Sequence, residues 1–370
     1  MSYEATLPTE IKLINSTLKT RMMSGKYHQP IAYVEIIDTD SSVTTLTTCT
    51  NFSVMKKRDN ILGNFSCTIV NAQDWNPRGS DHTDLLTLDK RKIVNIYYGQ
   101  IIDGTSHYVK IFSGIPTQKP ETYKLGSSDF ITLRGVSLGY WLQKLDGSYS
   151  NNTFTGASKE LLKYWLDLAG LDYTLSYTDT ISVTDLTIAF ANALVGFNAI
   201  LTVLGPAKET FFDSDGVLVV RDVPTWSAND VEFAYTQNNI VALSRSVDIN
   251  KVTTVADVAG NSATASKKTE ASAAMITKYG RNIATVSSGL ITTLTQATNL
   301  AADLLTHGER FENPIQSSML LNPYLTIGSF ITVEDSAISS TPETQIRIYS
   351  IQHTYTAMQS HRTRIAGYPE

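Results

Sequence analysis

Between residues 28 and 140 the chain repeats one pattern, a short run of β-branched and aromatic residues followed by a turn rich in Gly or Asn. The runs fall at residues 31–37, 65–69, 92–97, 108–112 and 130–134. Side chains on a strand alternate between its two faces, so runs of this kind suit a half-buried sheet. Asp103-Gly104 stands between two of them. That pair favours a two-residue hairpin, because both positions accept positive φ. No long helical pattern interrupts the block, which predicts a small antiparallel barrel or sandwich.

The pattern changes after Gly147. Residues 148–156 are polar and read as a turn-rich linker. A helix follows at 158–170, with Leu161, Leu162, Trp165 and Leu168 on one face and Gly170 to end it. A second helix is predicted within 190–204, stopped by Gly205-Pro206. Two apolar runs flank Asp213-Ser-Asp-Gly216, which reads as a hairpin turn rather than a calcium loop: its glycine comes too early and no Glu closes it. Residues 247–258 read as two strands and 260–274 as an exposed loop. A helix is predicted at about 292–306, with Leu294, Ala297, Ala301 and Leu304 inward and Gly308 just beyond it. Strands return at 325–327, 330–333, 345–351 and 362–365.

A chain of 370 residues exceeds one ordinary core. The expected division is an N-terminal extension at 1–27, a β domain at 28–150, an α+β domain at 151–245 and a second β domain at 246–370. The net charge of −5, with charged residues at only 18%, excludes a generally basic nucleic-acid binder. The two cysteines, Cys49 and Cys67, are too few for a disulfide scaffold or a thiolate zinc site. The first twenty residues carry scattered charge and no apolar core, so they do not read as a signal peptide. No stretch is apolar for long enough to span a membrane. Synthesis and assembly in the cytosol fit these features, with an extracellular destination by another route as the alternative.

Catalysis needs groups of matched roles within bonding distance. The histidines His28, His82, His107, His307, His353 and His361 fall in no His-Glu-x-x-His motif. Asp81-His-Thr-Asp84 follows a Pro-Arg-Gly turn and reads as a solvated loop. Nucleophile elbow, phosphate loop and dinucleotide fingerprint are all missing from the sequence. The carboxylate pairs Asp38/Asp40 and Glu160/Asp167 are of a kind that arises by chance. Lys56-Lys-Arg-Asp59 reads as a solvated loop. The sequence therefore gives no catalytic residue, no cofactor site and no metal ligands.

The order of short patterns resembles the gp27-like phage baseplate hub proteins, the family that includes late control D and tail-associated hub proteins. Ile111-Phe-Ser-Gly-Ile115 is followed by Phe130-Ile-Thr-Leu-Arg-Gly135 and the leucine-rich turn at 138–142. The helix at 158–171 and the hairpin at 209–221 match the family's middle domain. Lys278-Tyr-Gly280, Asn322-Pro-Tyr-Leu-Thr-Ile-Gly328 and Ile348-Tyr-Ser-Ile-Gln-His-Thr-Tyr355 resemble its closing patterns. The similarity runs from about residue 28 to 366.

The resemblance implies a mainly β fold with an α+β middle domain and two barrel-like tube domains. It implies a homotrimer around a channel, adapting a sixfold tail tube or distal tail ring to a threefold spike, fibre or tip in the virion. A tape measure protein is a further partner, and DNA passes through without being specifically bound. With no appended hydrolase or fibre domain by residue 370, any tip function is expected in a separate chain. The alternatives are a peptidoglycan-degrading tail-tip enzyme, which would need opposed carboxylates or a metal, and an accessory host-binding tail protein. Exposed aromatics are expected at Tyr97, Tyr98, Tyr108 and Trp226, while Trp141 and Trp165 lie on apolar faces and read as core. Trp75, Tyr97 and Tyr279 are the expected subunit-interface residues.

Overall fold

The computed structural model describes residues 30–369 except 39–40, 47–48, 59, 71–91, 119–120, 126–127, 179–180, 226–230, 237–239, 246, 248, 313, 335–342 and 358. The N-terminal extension, His28, Trp75, residues 81–84 and Trp226 lie outside the described residues. The first strands are β1 (Pro30–Ile37), β2 (Val43–Leu46), β3 (Cys49–Lys57), β4 (Asn60–Val70), β5 (Ile93–Ile102), β6 (Thr105–Pro116), β7 (Glu121–Leu125) and β8 (Ser128–Ser137). A mixed stretch follows: α1 (Tyr140–Lys144), β9 (Gly147–Ala157), α2 (Ser158–Ala169), β10 (Tyr173–Ser176), β11 (Ser182–Phe190), α3 (Ala193–Leu204), β12 (Lys208–Phe212) and β13 (Leu218–Asp222). Next come β14 (Val231–Tyr235), β15 (Ile240–Arg245), β16 (Val255–Ala259), β17 (Lys267–Glu270), α4 (Ala273–Tyr279) and β18 (Ile283–Ser287). The chain closes with α5 (Leu294–Arg310), β19 (Ile315–Leu320), β20 (Phe330–Glu334), β21 (Glu343–Thr356) and β22 (Ser360–Pro369).

The expected mainly β fold with an α+β middle is present, but the expected barrel-like tube domains are not. Both β blocks enter one 14-stranded sheet of order β15-β19-β22-β21-β3-β4-β8-β6-β5-β1-β2, with β14, β20 and β7 as side branches. No sheet among the described residues closes on itself. The reason lies at the joint. Residues 51–57 of β3 pair antiparallel with residues 350–356 of β21, so the edge each block would need for its own closure is used to join the other. One apolar core spans the joint, holding Val34, Phe65 and Ile96 from the first block and Ile331, Ile348 and Ile365 from the last. Each such fully buried side chain contributes roughly 1.5–3 kcal/mol.

The strands form where alternation and turn chemistry agree. In β3, Phe52, Val54 and Lys56 are buried while Asn51, Ser53 and Lys57 face outward. Asp103 and Gly104 have φ of 50° and 78°, the doubly positive turn that joins β5 to β6. A second apolar cluster gathers α2, α3, β10 and β13 with residues of β16 and α5. Gly170 ends α2 at φ 62°. Thr293 and Gln296 form a capping box that starts α5.

Several local expectations need correction. Residues 148–156 belong to β9, which pairs with β11 rather than running as a linker. Residues 260–274 contain a short 3-10 turn, β17 and the start of α4, because β16 and β17 pair and Ser272 caps the helix. Residues 247 and 249–251 do not form a strand, and residues 325–327 form a turn segment. On α2 the inward residue after Trp165 is Leu166, and Leu168 is exposed. On α5, Leu294 is exposed and Leu300 and Leu305 are buried instead, with Gly308 inside the helix. Tyr98 is fully buried against Phe52 and Tyr355, since its register places it on the core face of β5. Trp165 is core as expected, and Trp141 packs partly buried on the same cluster.

Candidate functional site

Three surface constellations and one buried junction stand out. The junction is built on Glu209, the second residue of β12, which is sealed from solvent. Its carboxylate accepts from Arg221 Nε on β13 and, at 2.8 Å, from Arg347 Nη2 on β21. Arg347 also donates from Nη1 to the Pro224 carbonyl at 2.9 Å, and its guanidinium lies 5.2 Å from the Phe330 ring centre. A buried carboxylate is tolerated only with such partners. The group ties the α+β hairpin to the large sheet. Gly328 completes it: at φ 80°, a Cβ there would lie 2.5 Å from Arg221 Nη2 and 2.8 Å from Glu209 Oε1.

Close by, Arg58 is buried rather than solvated, donating to the carbonyls of Pro206 and Lys208, the latter at 2.8 Å. Lys56 is buried as well, on β3. The Lys56-Lys-Arg stretch is thus a strand end packed onto the middle region, and only Lys57 is exposed.

The first surface constellation is aromatic. Tyr33 and Tyr97, paired across β1 and β5, stack with ring centres 4.3 Å apart at 6°. Tyr108 meets Tyr33 edge-on at 4.5 Å. Tyr97 donates its hydroxyl to Glu35 Oε2 at 2.7 Å. Burial, then the Glu35 charge, pushes the Tyr33 phenol up to about 12. Beside this cluster Lys110 pairs with Asp215 at 2.9 Å, which seats the β12–β13 turn on β6. That turn is held by Asp213, whose carboxylate accepts from the backbone of Asp215 and Val217.

The second surrounds Tyr279, at the end of α4. Its hydroxyl donates to Glu312 Oε1 at 2.8 Å, and Lys278 binds the same carboxylate while lying 4.9 Å from the Tyr279 ring centre. These two hydrogen bonds hold the Glu312 carboxyl below its ordinary value. No residue of α4 is buried. Tyr97 and Tyr279 are therefore both partly exposed, on different elements, and each is anchored through its hydroxyl to a carboxylate.

The third is the outward face of the large sheet. Arg362, Thr354, Ser53, Ser66 and Arg134 lie in one register row across β22, β21, β3, β4 and β8. Arg134, Arg362, Arg364 and Lys57 on this face are exposed. Its other side chains are mainly hydroxyls and amides, such as Gln352, which donates to Ser53 at 3.1 Å.

Sequence reasoning placed Tyr97 and Tyr279 but missed Tyr33, Glu209 and Arg347. The signal for the last was present: Arg347 stands between Ile346 and Ile348 on a strand whose neighbours are buried. The arginine face was legible too, as the alternation Arg362-Thr-Arg-Ile365 with Thr363 and Ile365 inward.

Among the described residues no group of three His, Cys, Asp or Glu could hold a metal ion. No helix is long and apolar enough to cross a membrane among those residues. His353 is buried on β21 and bonded to Thr363 Oγ1 at 2.9 Å, while His107 is an ordinary residue of β6. Cys49 and Cys67 lie on neighbouring strands as free, buried thiols. Glu160 pairs with Lys163 at 3.8 Å, and Asp38 with Lys92 at 3.5 Å.

No protein-family model matches the sequence, and no curated protein matches it. Solved structures do match. The chain is similar to the 43 kDa tail protein of prophage MuSo2 from Shewanella oneidensis, with a TM-score of 0.65 at 11% identity over 91% of this chain and 98% of that one. It is similar to a tail protein from Neisseria meningitidis MC58, with a TM-score of 0.64 at 12% identity over 93% and 97%. A third match is the E. coli c3393 protein, described as a type VI secretion component with structural similarity to the T4 tail proteins gp27 and gp5. Its TM-score is 0.53 at 8% identity, over 87% of this chain and 74% of that one. At these identities the likeness is one of fold: the chain folds as these tail proteins do.

Proposed function

We propose that this chain is a structural subunit of the hub in a phage tail or a tail-like injection machine. The observation that carries the reading is the end-to-end fold match, which covers 91% of this chain and 98% of the MuSo2 tail protein. The match runs over nearly the whole length of both chains. A likeness confined to one common motif would carry far less weight.

The finer reading is a homotrimer around an axial channel, joining a sixfold tube or distal tail ring to a threefold spike, fibre or tip in the virion. A closed ring needs a heterologous interface, in which one patch meets a different patch on the next copy. Tyr97 and Tyr279 are suited to it, since anchored aromatics present large rigid area at low entropic cost. Trp75 is a third interface residue in this proposal, and the division at residues 27, 150 and 245 is carried within it. The reading is structural rather than enzymatic: Glu209, a fully buried carboxylate, is engaged by two arginines.

Electron cryomicroscopy of assembled particles, with the chain located by its density, tests the proposal. Three copies around an open channel at the tail tip are expected. Density showing single copies on the tail surface would overturn the hub reading.

A further inference from the structure

The charge of the large sheet is distributed against the charge of the protein. Seven strands, β15, β19, β22, β21, β3, β4 and β8, lie side by side. They carry seven Lys and Arg: one on β15, two on β22, one on β21, two on β3 and one on β8. Their only acidic residues are Asp129 and Glu343, at the starts of β8 and β21. The whole chain, by contrast, has a net charge of −5. Four of the cations, Lys57, Arg134, Arg362 and Arg364, stand exposed on the outward face. Lys57, Arg362 and Arg364 form no ion pair among the described residues.

Their spacing is also regular. Arg362 and Arg364 alternate on β22, so their Cα atoms are about 7 Å apart along the strand. Arg362 and Arg134 share a register row four strand steps apart, or about 19 Å. Between them lie Thr354, Ser53 and Ser66, short donors with little entropy to lose. No aromatic side chain stands in this row or in the neighbouring row through Arg364, Gln352, Met55 and Asn64. A protein interface needs a cluster of aromatic or apolar anchors, and these rows present one apolar side chain, Met55, 37% exposed. A phosphate backbone needs only spaced cations and donors on an open surface.

We propose that this outward sheet face meets the phosphate backbone of duplex DNA, weakly and without sequence preference. The inference deepens the hub reading by assigning the face turned toward the passing genome. Four cations are few, which matters for function: contact releases about four counterions, so binding is loose and collapses with salt. Such a face can guide a moving duplex without holding it.

Fluorescence anisotropy of a short labelled duplex with the full chain tests this. Affinity is expected to fall about 100-fold between about 50 and 200 mM salt. For the triple variant Lys57→Ser, Arg362→Ser, Arg364→Ser the fall is expected to shrink to about fourfold. The variant Arg362→Lys, Arg364→Lys should keep the wild-type slope. A control removing Lys159, Lys163 and Lys268, which changes net charge equally from other surfaces, should keep it as well. Absence of binding at low salt, or an equal loss in the control, would overturn the proposal. Binding of poly-glutamate as tight as that of DNA would overturn it in favour of an acidic protein partner. The measurement uses the isolated chain, so its failure is distinct from a failure to form the ring, which particle imaging reports.

Discussion

Arg347 reaches from β21 to Glu209 on β12 at 2.8 Å, with the two side chains only 2% and 0% exposed. This contact crosses from the large sheet to the α+β region and joins them through a sealed ion pair, beside the buried Arg58 that binds the Pro206 and Lys208 carbonyls. Breaking a buried pair from one side leaves an uncompensated charge, which costs about 3–5 kcal/mol. Glu209→Gln strands two guanidinium groups and is expected to destabilise more than Arg347→Met, which leaves Arg221 on the carboxylate. Urea unfolding of both variants checks the order. Equal stability of Glu209→Gln and wild type would show that the junction is not sealed.

Gly328 reports on the same junction from its backbone. Its φ of 80° disfavours any Cβ, and the Cβ would also press on Arg221 and Glu209. Gly328→Ala is expected to cost about 2–4 kcal/mol, combining backbone strain of about 1 kcal/mol with overpacking of about 1–3 kcal/mol. Gly104→Ala, also at positive φ but with nothing within 4 Å, should cost only the backbone share. Thermal unfolding of the two variants side by side measures the difference.

His307 gives a pH dependence with a definite sign. Burial, then Arg58 and Arg310, lowers its imidazole from 6.5 to about 3. The folded chain thus holds it neutral, while the unfolded chain binds a proton below about 6.5. Its contribution to stability is complete above that value and is lost as pH falls toward 3, at up to about 1.4 kcal/mol per pH unit. A melting-temperature series from neutral to acid pH should therefore be flatter for His307→Gln than for wild type. Parallel series would count against a buried neutral imidazole.

The thiols should be silent in the native protein. Burial pushes Cys49 up to about 12 and raises Cys67 well above its ordinary value. Alkylation at pH 8 is expected only after denaturation, with two groups then reacting per chain. Rapid native labelling of either would contradict the packing of β3 on β4.

Tyr97→Ala and Tyr279→Ala separate assembly from folding. Each side chain is only partly buried, so each loss should cost about 1 kcal/mol or less in stability. If they stand at subunit contacts, particle incorporation should fall at least tenfold while the melting temperature barely moves. Normal incorporation of both variants would remove them from the interface.

Much of this structure could be read from sequence because its signals are local. The hairpin at Asp103-Gly104 and the stop at Gly170 depend on two or three residues each, and both appear as expected. β9 was harder: Ser, Asn and Thr suit a turn as well as an edge strand, and only pairing with β11 decides. The barrels failed for a related reason. Alternation tells a strand which face to bury but does not name its neighbour, so the β3–β21 pairing left no local trace. At Tyr98 a one-residue difference in facing separated core from surface.

The β3–β21 pairing has a further consequence for manufacture. Gln352 meets Ser53 across a separation of 299 residues, so the sheet stays interrupted until the late strands have left the ribosome. Until then β3 offers a bare edge to solvent, open to wrong partners. A prematurely terminated chain lacks the strand that covers this edge, so it cannot pass as a finished subunit. In the proposed ring of identical copies, where one faulty member would spoil the whole, that dependence would work as an inspection step written into the topology.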